Sequence, residues 1–296
     1  MKRWFCKQVL IFLRRLNIEW IVPDSIYLQM RYRLSLNRKL NFKNPVLYNE
    51  KIQWLKLYNR NPRYTEFVDK YEVKKHVGRI LGKEYIIPTI GVWNKFEEID
   101  FSKLPDQFVI KCTHDSASVI VCKDKKTFDI KMAKRKIDKA LRQNYYMLGR
   151  EWAYKNVAPR IIIEKYMEDE SREELKDYKI YTFGGIPKLI HVDYARFTNH
   201  KRNIYDTKWN ELDVVFEYPT DKKVKFSRPQ KLEMMLEMAQ KLAKDIPHVR
   251  IDFYSINEKI YFGEMTFYPE CGFGKISPLQ FEYEMGSWIQ LPKSKS

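Results

Sequence analysis

The clearest pattern of hydrophobic and polar positions runs from Val249 to Thr266. In VRIDFYSI apolar side chains recur at every second place, the period of a half-buried strand, and KIYFGEMT reads as a second strand. The polar stretch Ser255–Glu258 separates them, so the pattern predicts a hairpin. Alternation puts Arg250, Asp252 and Tyr254 on one face of the first strand. It puts Glu264 and Thr266 on one face of the second, with a turn at Pro269–Gly272 beyond. A second hairpin is predicted in DYKIYTFGGIPKLIHVDY, turning at Gly184–Gly185.

Upstream, from Gln107, the order reads strand, loop, strand, helix, strand. FVIKC and SVIVCKD flank the polar THDSA, a helix is predicted over 129–146, and RIIIEKYM runs into an acidic hinge, Glu168–Glu174. A helical stripe of Ile52, Leu55 and Tyr58 follows Asn49 and stops at Pro62. Asp69–Val77 predicts a short helix closed by Gly78, and Tyr85–Ile90 an edge strand on account of Pro88. Leu232, Met235, Leu236, Ala239, Leu242 and Ala243 form a core-facing stripe, behind a capping box at Ser227–Gln230 with Pro229 in its first turn. The class is α+β. The chain divides into a basic, mostly helical region (1–66), a connecting segment (67–106), a small lobe (107–167) and a C-terminal lobe (168–296).

Composition narrows the chemistry. The 296 residues carry a net charge of +17, which calls for an acidic partner. No nucleic-acid-binding motif is present, so nucleic acid is not expected. Four scattered cysteines lack any CxxC spacing, and the five histidines lack HExxH, which points to a reducing, cytoplasmic setting without a zinc site. The N-terminal MKRWFCKQVLIFLRRL is too short in its apolar run to span a bilayer. Its Trp, Phe and Leu residues interleave with Lys and Arg. Such a helix can lie peripherally on the inner, anionic face of a cell membrane, or pack its apolar side on the protein body.

Three further segments carry candidate chemistry. Lys111 ends a buried strand before a small polar loop holding His114, Ser116 and Ser118. Lysine and loop N–H groups there suit nucleotide phosphates, although an ordinary strand-end lysine beside a surface turn is the commoner outcome. No Walker A pattern is present. Glu164, Lys165, Tyr166 and Met167 end the third strand, where backbone groups can pair with an adenine and Glu168, Asp169 or Glu170 can take ribose hydroxyls, although a buried strand ending in a solvated acidic loop is the commoner outcome. Lys179 opens the next strand and would point to the same cleft. Arg196, His200 and Arg202 form a basic cluster suited to a carboxylate or phosphate, or simply a solvated face. Asp252 and Glu264 could hold a hard cation, with Arg250 as a neighbouring charge, or form a plain ion pair with it.

These segments together resemble the ATP-grasp superfamily. The closer resemblance is to its branch related to teichuronopeptide biosynthesis protein (TupA-like), which is associated with polysaccharide biosynthesis. The marks, over roughly Pro45 to Leu291, are NEKIQWLKLYNR, VDKYEVKKHV, FVIKCTHDSAS, GREWAYKN, PRIIIEKYM, DYKIYTF, RFTNHKRNIYD, VRIDFY and YFGEMTFYPECGFG, in that order. The resemblance implies two α+β lobes clamping ATP. It implies Mg²⁺ on Asp252, Glu264 and Thr266, where many relatives carry Asn at the last position. ATP falls to Lys111, His114, Ser116, Ser118, Glu164, Lys165, Tyr166, Met167 and Asp169. Catalytic charge falls to Lys179 and Arg250, and substrate binding to Arg196, His200 and Arg202. The implied reaction is ATP-dependent ligation of a carboxylate and an amine through an acylphosphate, the partners being a uronic acid of an acidic or lipid-linked glycan and an amino acid or similar amine. A glycosyltransferase using a sugar nucleotide is the competing reading, though no DxD motif stands out and Asp213 is isolated. A non-catalytic basic binder of membranes or nucleic acid is a third. Preference for ATP, a sugar nucleotide or neither separates them.

Overall fold

The computed structural model describes residues 3–16, 18–116, 118–168, 175–195 and 198–293. The chain opens with helices α1 (Arg3–Arg15), α2 (Asp24–Leu36), α3 (Tyr48–Tyr58), α4 (Arg63–Val68) and α5 (Glu72–Ile80). The stripe read after Asn49 is α3, with Ile52 and Leu55 buried; Tyr58 faces solvent. α5 begins three residues later than expected and runs through Gly78 to Ile80. Gly78 does not end the helix; it lies where a Cβ would come within 3.2 Å of Ile86 Cδ1.

The small lobe is a four-stranded antiparallel sheet in the order β1-β4-β2-β3, made of β1 (Thr89–Trp93), β2 (Phe108–Cys112), β3 (Ile120–Cys122) and β4 (Ile161–Lys165). β1 starts at Thr89, not at Tyr85, which lies in a 3₁₀ turn. Pro88 has no N–H to give a ladder, but its carbonyl accepts from Lys165 N at 2.9 Å. Helix α6 (Ile130–Leu141) covers this sheet with Ala133, Ile137 and Ala140, and Asp129 caps its start by accepting from Met132 N at 2.8 Å. It stops short of the expected Tyr146, which opens the short α7 (Tyr146–Gly149).

The large lobe is a five-stranded antiparallel sheet, order β10-β9-β5-β6-β7, from β5 (Asp177–Phe183), β6 (Ile186–Tyr194), β7 (Lys201–Asp206), β9 (His248–Ile256) and β10 (Lys259–Thr266). Between these lie β8 (Val215–Phe216) and α8 (Leu232–Leu242), and after them β11 (Ile276–Ser277), which pairs with β8, and α9 (Leu279–Trp288). One sheet face is apolar: Ile180, Ile190, Val192, Ile251, Phe253 and Met265 share a core with Met235, Ala239 and Leu242 of α8. The expected capping box does not form. α8 begins at Leu232 with no side-chain cap, because residues before it turn through Pro229, whose carbonyl accepts from Leu232 N. Arg228 pairs with Glu233 in the first turn of the helix.

The β9–β10 hairpin turns at Asn257 and Glu258, both with left-handed φ (47° and 60°), as the tight turn of a twisted hairpin requires. A bulge at Gly263 shifts the register so that Glu264 lies opposite Asp252 and Thr266 opposite Arg250. Unbulged pairing would set Glu264 opposite Ile251, on the apolar face. The bulge is what turns Glu264 to the Asp252 side.

Candidate functional site

The second face of the large sheet is charged. Asp177 and Lys179 on β5, Asp193 on β6, Arg202 on β7, Arg250 and Asp252 on β9, and Glu264 on β10 lie on it. Lys179 stands opposite Asp252, Asp177 opposite Asp193, and Asp193 opposite Arg202. Asp252 is 2 % exposed and fully engaged. Its Oδ1 accepts from Arg250 Nε (2.7 Å), and its Oδ2 from Arg250 Nη2 (2.7 Å) and Lys179 Nζ (3.0 Å). Lys179 also pairs with Asp177. Glu264 has a side chain 36 % exposed, and its Oε1 takes Arg250 Nη2 at 2.9 Å and the Thr266 hydroxyl at 3.2 Å. Burial raises the Asp252 carboxyl, with Arg250 and Lys179 opposing. Burial would raise Glu264 as well, but Arg250, Lys70 and Lys179 outweigh it and hold the group at about 2.

The small lobe and α5 bring their own cations. Glu164, 4 % exposed, grips Lys74 Nζ with Oε1 and Lys111 Nζ with Oε2, each at 2.5 Å. Burial pushes Glu164 up, but the two ammonium groups win and hold it at about 2. The two lysines respond differently. Burial lowers Lys74, whereas Lys111 is raised against burial by Glu164, Tyr254 and Glu264. Tyr254 and Glu264 belong to the large sheet. Lys70, whose Nζ donates to the Asp115 carbonyl, likewise acts on Glu264. Lys111 of the small lobe, Lys70 and Lys74 at the start of α5, and carboxylates of the large lobe therefore face a single cleft.

The sequence-derived residues distribute unevenly around it. Lys111, Lys179, Arg250, Asp252, Glu264 and Thr266 come together. Glu164 presents its carboxylate to lysines, and the Lys165 backbone N–H is taken by Pro88. Tyr166 and Met167 follow β4, both half-buried. His114 and Ser118 turn inward: His114 Nε2 lies 3.1 Å from the Ala140 carbonyl, and the Ser118 hydroxyl joins Cys112 N to Asp115. Ser116 is exposed and bonds the Tyr145 hydroxyl at 2.6 Å. Arg202 also points inward. Its fork is filled by Asp193, the Phe216 carbonyl and Glu270, and it is 2 % exposed. His200 stacks on Tyr218 at 3.6 Å. Asp169 and Arg196 lie outside the described residues.

Sequence reasoning did not single out Lys70 and Lys74 as site residues. The available signal was a pair of lysines four apart straddling a helix start, where the helix dipole disfavours positive charge. It also missed Glu151, which is 4 % exposed and raised by burial, and which accepts from the Cys271 thiol at 2.7 Å. Nearby, buried Lys56 donates to the carbonyls of Gly149 (2.8 Å) and Cys271 (2.6 Å).

The donor set fits a polyphosphate with a hard cation. Five cationic side chains, Lys70, Lys74, Lys111, Lys179 and Arg250, surround two carboxylates and a hydroxyl. Glu264 is open enough to coordinate, while Asp252 would have to share oxygens now held by Arg250. Among the described residues no group of three His, Cys, Asp or Glu could hold a metal alone. A magnesium ion here would take further oxygens from phosphate, as such ions commonly do.

A family model described as TupA-like ATP-grasp matches residues 50–290. No curated protein matches the chain. Similar solved structures include D-alanine–D-alanine ligase from Bacillus anthracis (18 % identity, 68 % of this chain and 57 % of that one, TM-score 0.39) and from Helicobacter pylori (18 %, 82 % and 69 %, 0.39). Biotin carboxylase from Campylobacter jejuni, in complex with a nucleotide analogue, is also similar (15 %, 78 % and 48 %, 0.40). The chain thus spans little more than half the length of the Bacillus anthracis ligase.

Proposed function

The chain belongs to the TupA-like ATP-grasp family, and from that premise we propose that it is an ATP-dependent carboxylate–amine ligase. One observation carries the reading: Lys111 of the small sheet, with Lys70 and Lys74 at the start of α5, and the carboxylates of the large sheet are arranged around one cleft, close enough for Lys70 and Lys111 to interact with Glu264. Lys70, Lys74 and Lys111 would hold phosphate oxygens from the small-lobe side, Lys179 and Arg250 from the other. Glu264, with Asp252 and Thr266, would hold Mg²⁺. Bound magnesium-ATP would supply the phosphoryl group that activates a substrate carboxylate for attack by an amine. The chain's own contribution is positioning and charge. Glu164 fixes two ammonium groups, and Asp177 and Asp252 fix Lys179, so these cations are oriented before substrate arrives. We assign the carboxylate to a uronic acid of a cell-surface polysaccharide and the amine to an amino acid, a choice supported by the branch of the family and by the basic chain.

Magnesium-ATP is expected to stabilise the protein by about 2.7 kcal/mol at a hundred times its Kd, read as a rise in Tm of a few degrees. Lys111→Ala should lose most of that rise. With hydroxylamine as the amine, a hydroxamate should form, and ADP and phosphate should appear only when a suitable carboxylate is present. A shift with UDP-sugars and none with ATP, or release of AMP, would refute the assignment.

A further inference from the structure

We propose that α1 and the turn after it form a docking face for an anionic lipid surface. The helix divides cleanly. Cys6 and Leu13, seven residues apart and so on one side, are buried against the body. The opposite side carries Trp4 (70 % exposed), Ile11 (51 %) and Phe12 (59 %), and the chain beyond adds Leu16 (51 %), Trp20 (70 %) and Ile21 (54 %). Packing on the body thus accounts for Cys6 and Leu13 and leaves these six large side chains in water. So many in an eighteen-residue stretch mark an interaction surface.

Charge selects the occupant. α1 contains no acidic residue, and exposed Lys7 and Arg15 project on the same side as Trp4 and Ile11. A second copy of the chain packed symmetrically on this face would bring like charges together. An anionic lipid layer instead pairs them with headgroups while the rings and aliphatic side chains enter the boundary, where tryptophan is favoured. α1 is 13 residues long, and no helix among the described residues is long and apolar enough to cross a membrane, so the helix lies in the surface plane.

The face is tied to the cleft. Arg150 Nη2 donates to the Glu19 carbonyl at 2.5 Å, between the exposed stretch and α7, and the guanidinium lies over Tyr27 (4.4 Å) and Tyr146 (5.4 Å). Arg150 holds a left-handed φ of 52°, and the next residue is the buried Glu151, which accepts from the Cys271 thiol at 2.7 Å and whose carboxyl is raised by burial and, to a lesser extent, by Glu264 of the cleft. A docked α1 would therefore hold the cleft at a fixed height above the lipid. This last step rests on the ligase reading: the carboxylate substrate would be carried on a lipid.

Co-sedimentation tests the proposal, using vesicles of phosphatidylcholine alone and of phosphatidylcholine with phosphatidylglycerol. The full chain should bind the mixed vesicles, lose binding with added salt, and ignore the neutral ones. Trp4→Glu/Phe12→Glu should weaken binding at least about tenfold, and Lys7→Glu/Arg15→Glu should do the same on the anionic vesicles. All four side chains are exposed, so the Tm should stay near wild type. Absence of binding, equal binding to neutral vesicles, or unchanged binding by both variants overturns the proposal. So does a wild-type dimer in sedimentation velocity that the Trp4→Glu/Phe12→Glu variant dissolves. If magnesium-ATP shifts neither protein while the vesicle pattern holds, the ligase reading fails and the docking face stands.

Discussion

Glu264→Gln is expected to remove ligation with a small change in stability, while Asp252→Asn is expected to cost about 3–5 kcal/mol of stability as well. Charge chemistry alone treats the two alike, since each amide keeps shape and loses the carboxylate. Burial separates them. Glu264 is 36 % exposed and gives one oxygen to Arg250, which keeps its two bonds to Asp252 when Glu264 is gone. Asp252 is 2 % exposed and is the shared counter-charge of Arg250 and Lys179, both buried. An amide there cannot accept from two cations through both atoms, and its N–H₂ would face a guanidinium. Urea unfolding and turnover, measured on both variants, should show both inactive but only Asp252→Asn with a lower midpoint. A Glu264→Gln protein as destabilised as Asp252→Asn would mean that Glu264 is structural and not reserved for a cation.

Much of this arrangement was readable beforehand because periodicity and burial agree. β2, β4, β5, β6, β9 and β10 stand where alternation or an unbroken apolar run put them, and Lys111, Lys179, Arg250 and Asp252 fall on the cleft side by counting from their strand neighbours. Glu264 shows the limit of counting. Its face depends on the Gly263 bulge, and a bulge adds one residue that no period reveals. The inward turn of Arg202 was hidden for another reason. Its partners, Asp193, Phe216 and Glu270, are brought together by β6–β7 pairing and by the β8–β11 bridge, and nothing local distinguishes a basic cluster that faces solvent from one that is fully paired. Helix ends were shifted by contacts that the period does not show: close packing at Gly78 and the Pro229 turn before Leu232. Lys70 and Lys74 escaped because their counter-charges and acceptors lie in Glu164, Ile87, Thr89 and the Asp115 loop, distant along the chain.

Glu164→Gln should reveal how much stability the small-lobe ion cluster contributes, and the answer should depend on pH. Glu164 is nearly buried, which disfavours its charge, yet Lys111 and Lys74 bring its carboxyl down from 4.5 to about 2. A carboxyl whose pKa is lowered on folding stabilises the native state when ionised. That contribution is complete above pH 4.5 and fades as pH falls through about 2. The depression corresponds to about 3 kcal/mol. Wild type should therefore exceed Glu164→Gln by about 3 kcal/mol at neutral pH, where the variant deprives Lys74 and Lys111 of their shared counter-charge. Below pH 2 the wild-type side chain is itself a neutral acid, close to glutamine in shape and charge, and the gap should close. Comparing the two proteins at each pH cancels the many other carboxylates that titrate in the same range. Urea midpoints at neutral pH, near 4 and near 2 would trace the closing. A gap that stays constant across the series would show that glutamine disrupts packing at β4, and that the ion cluster adds nothing of its own to the fold.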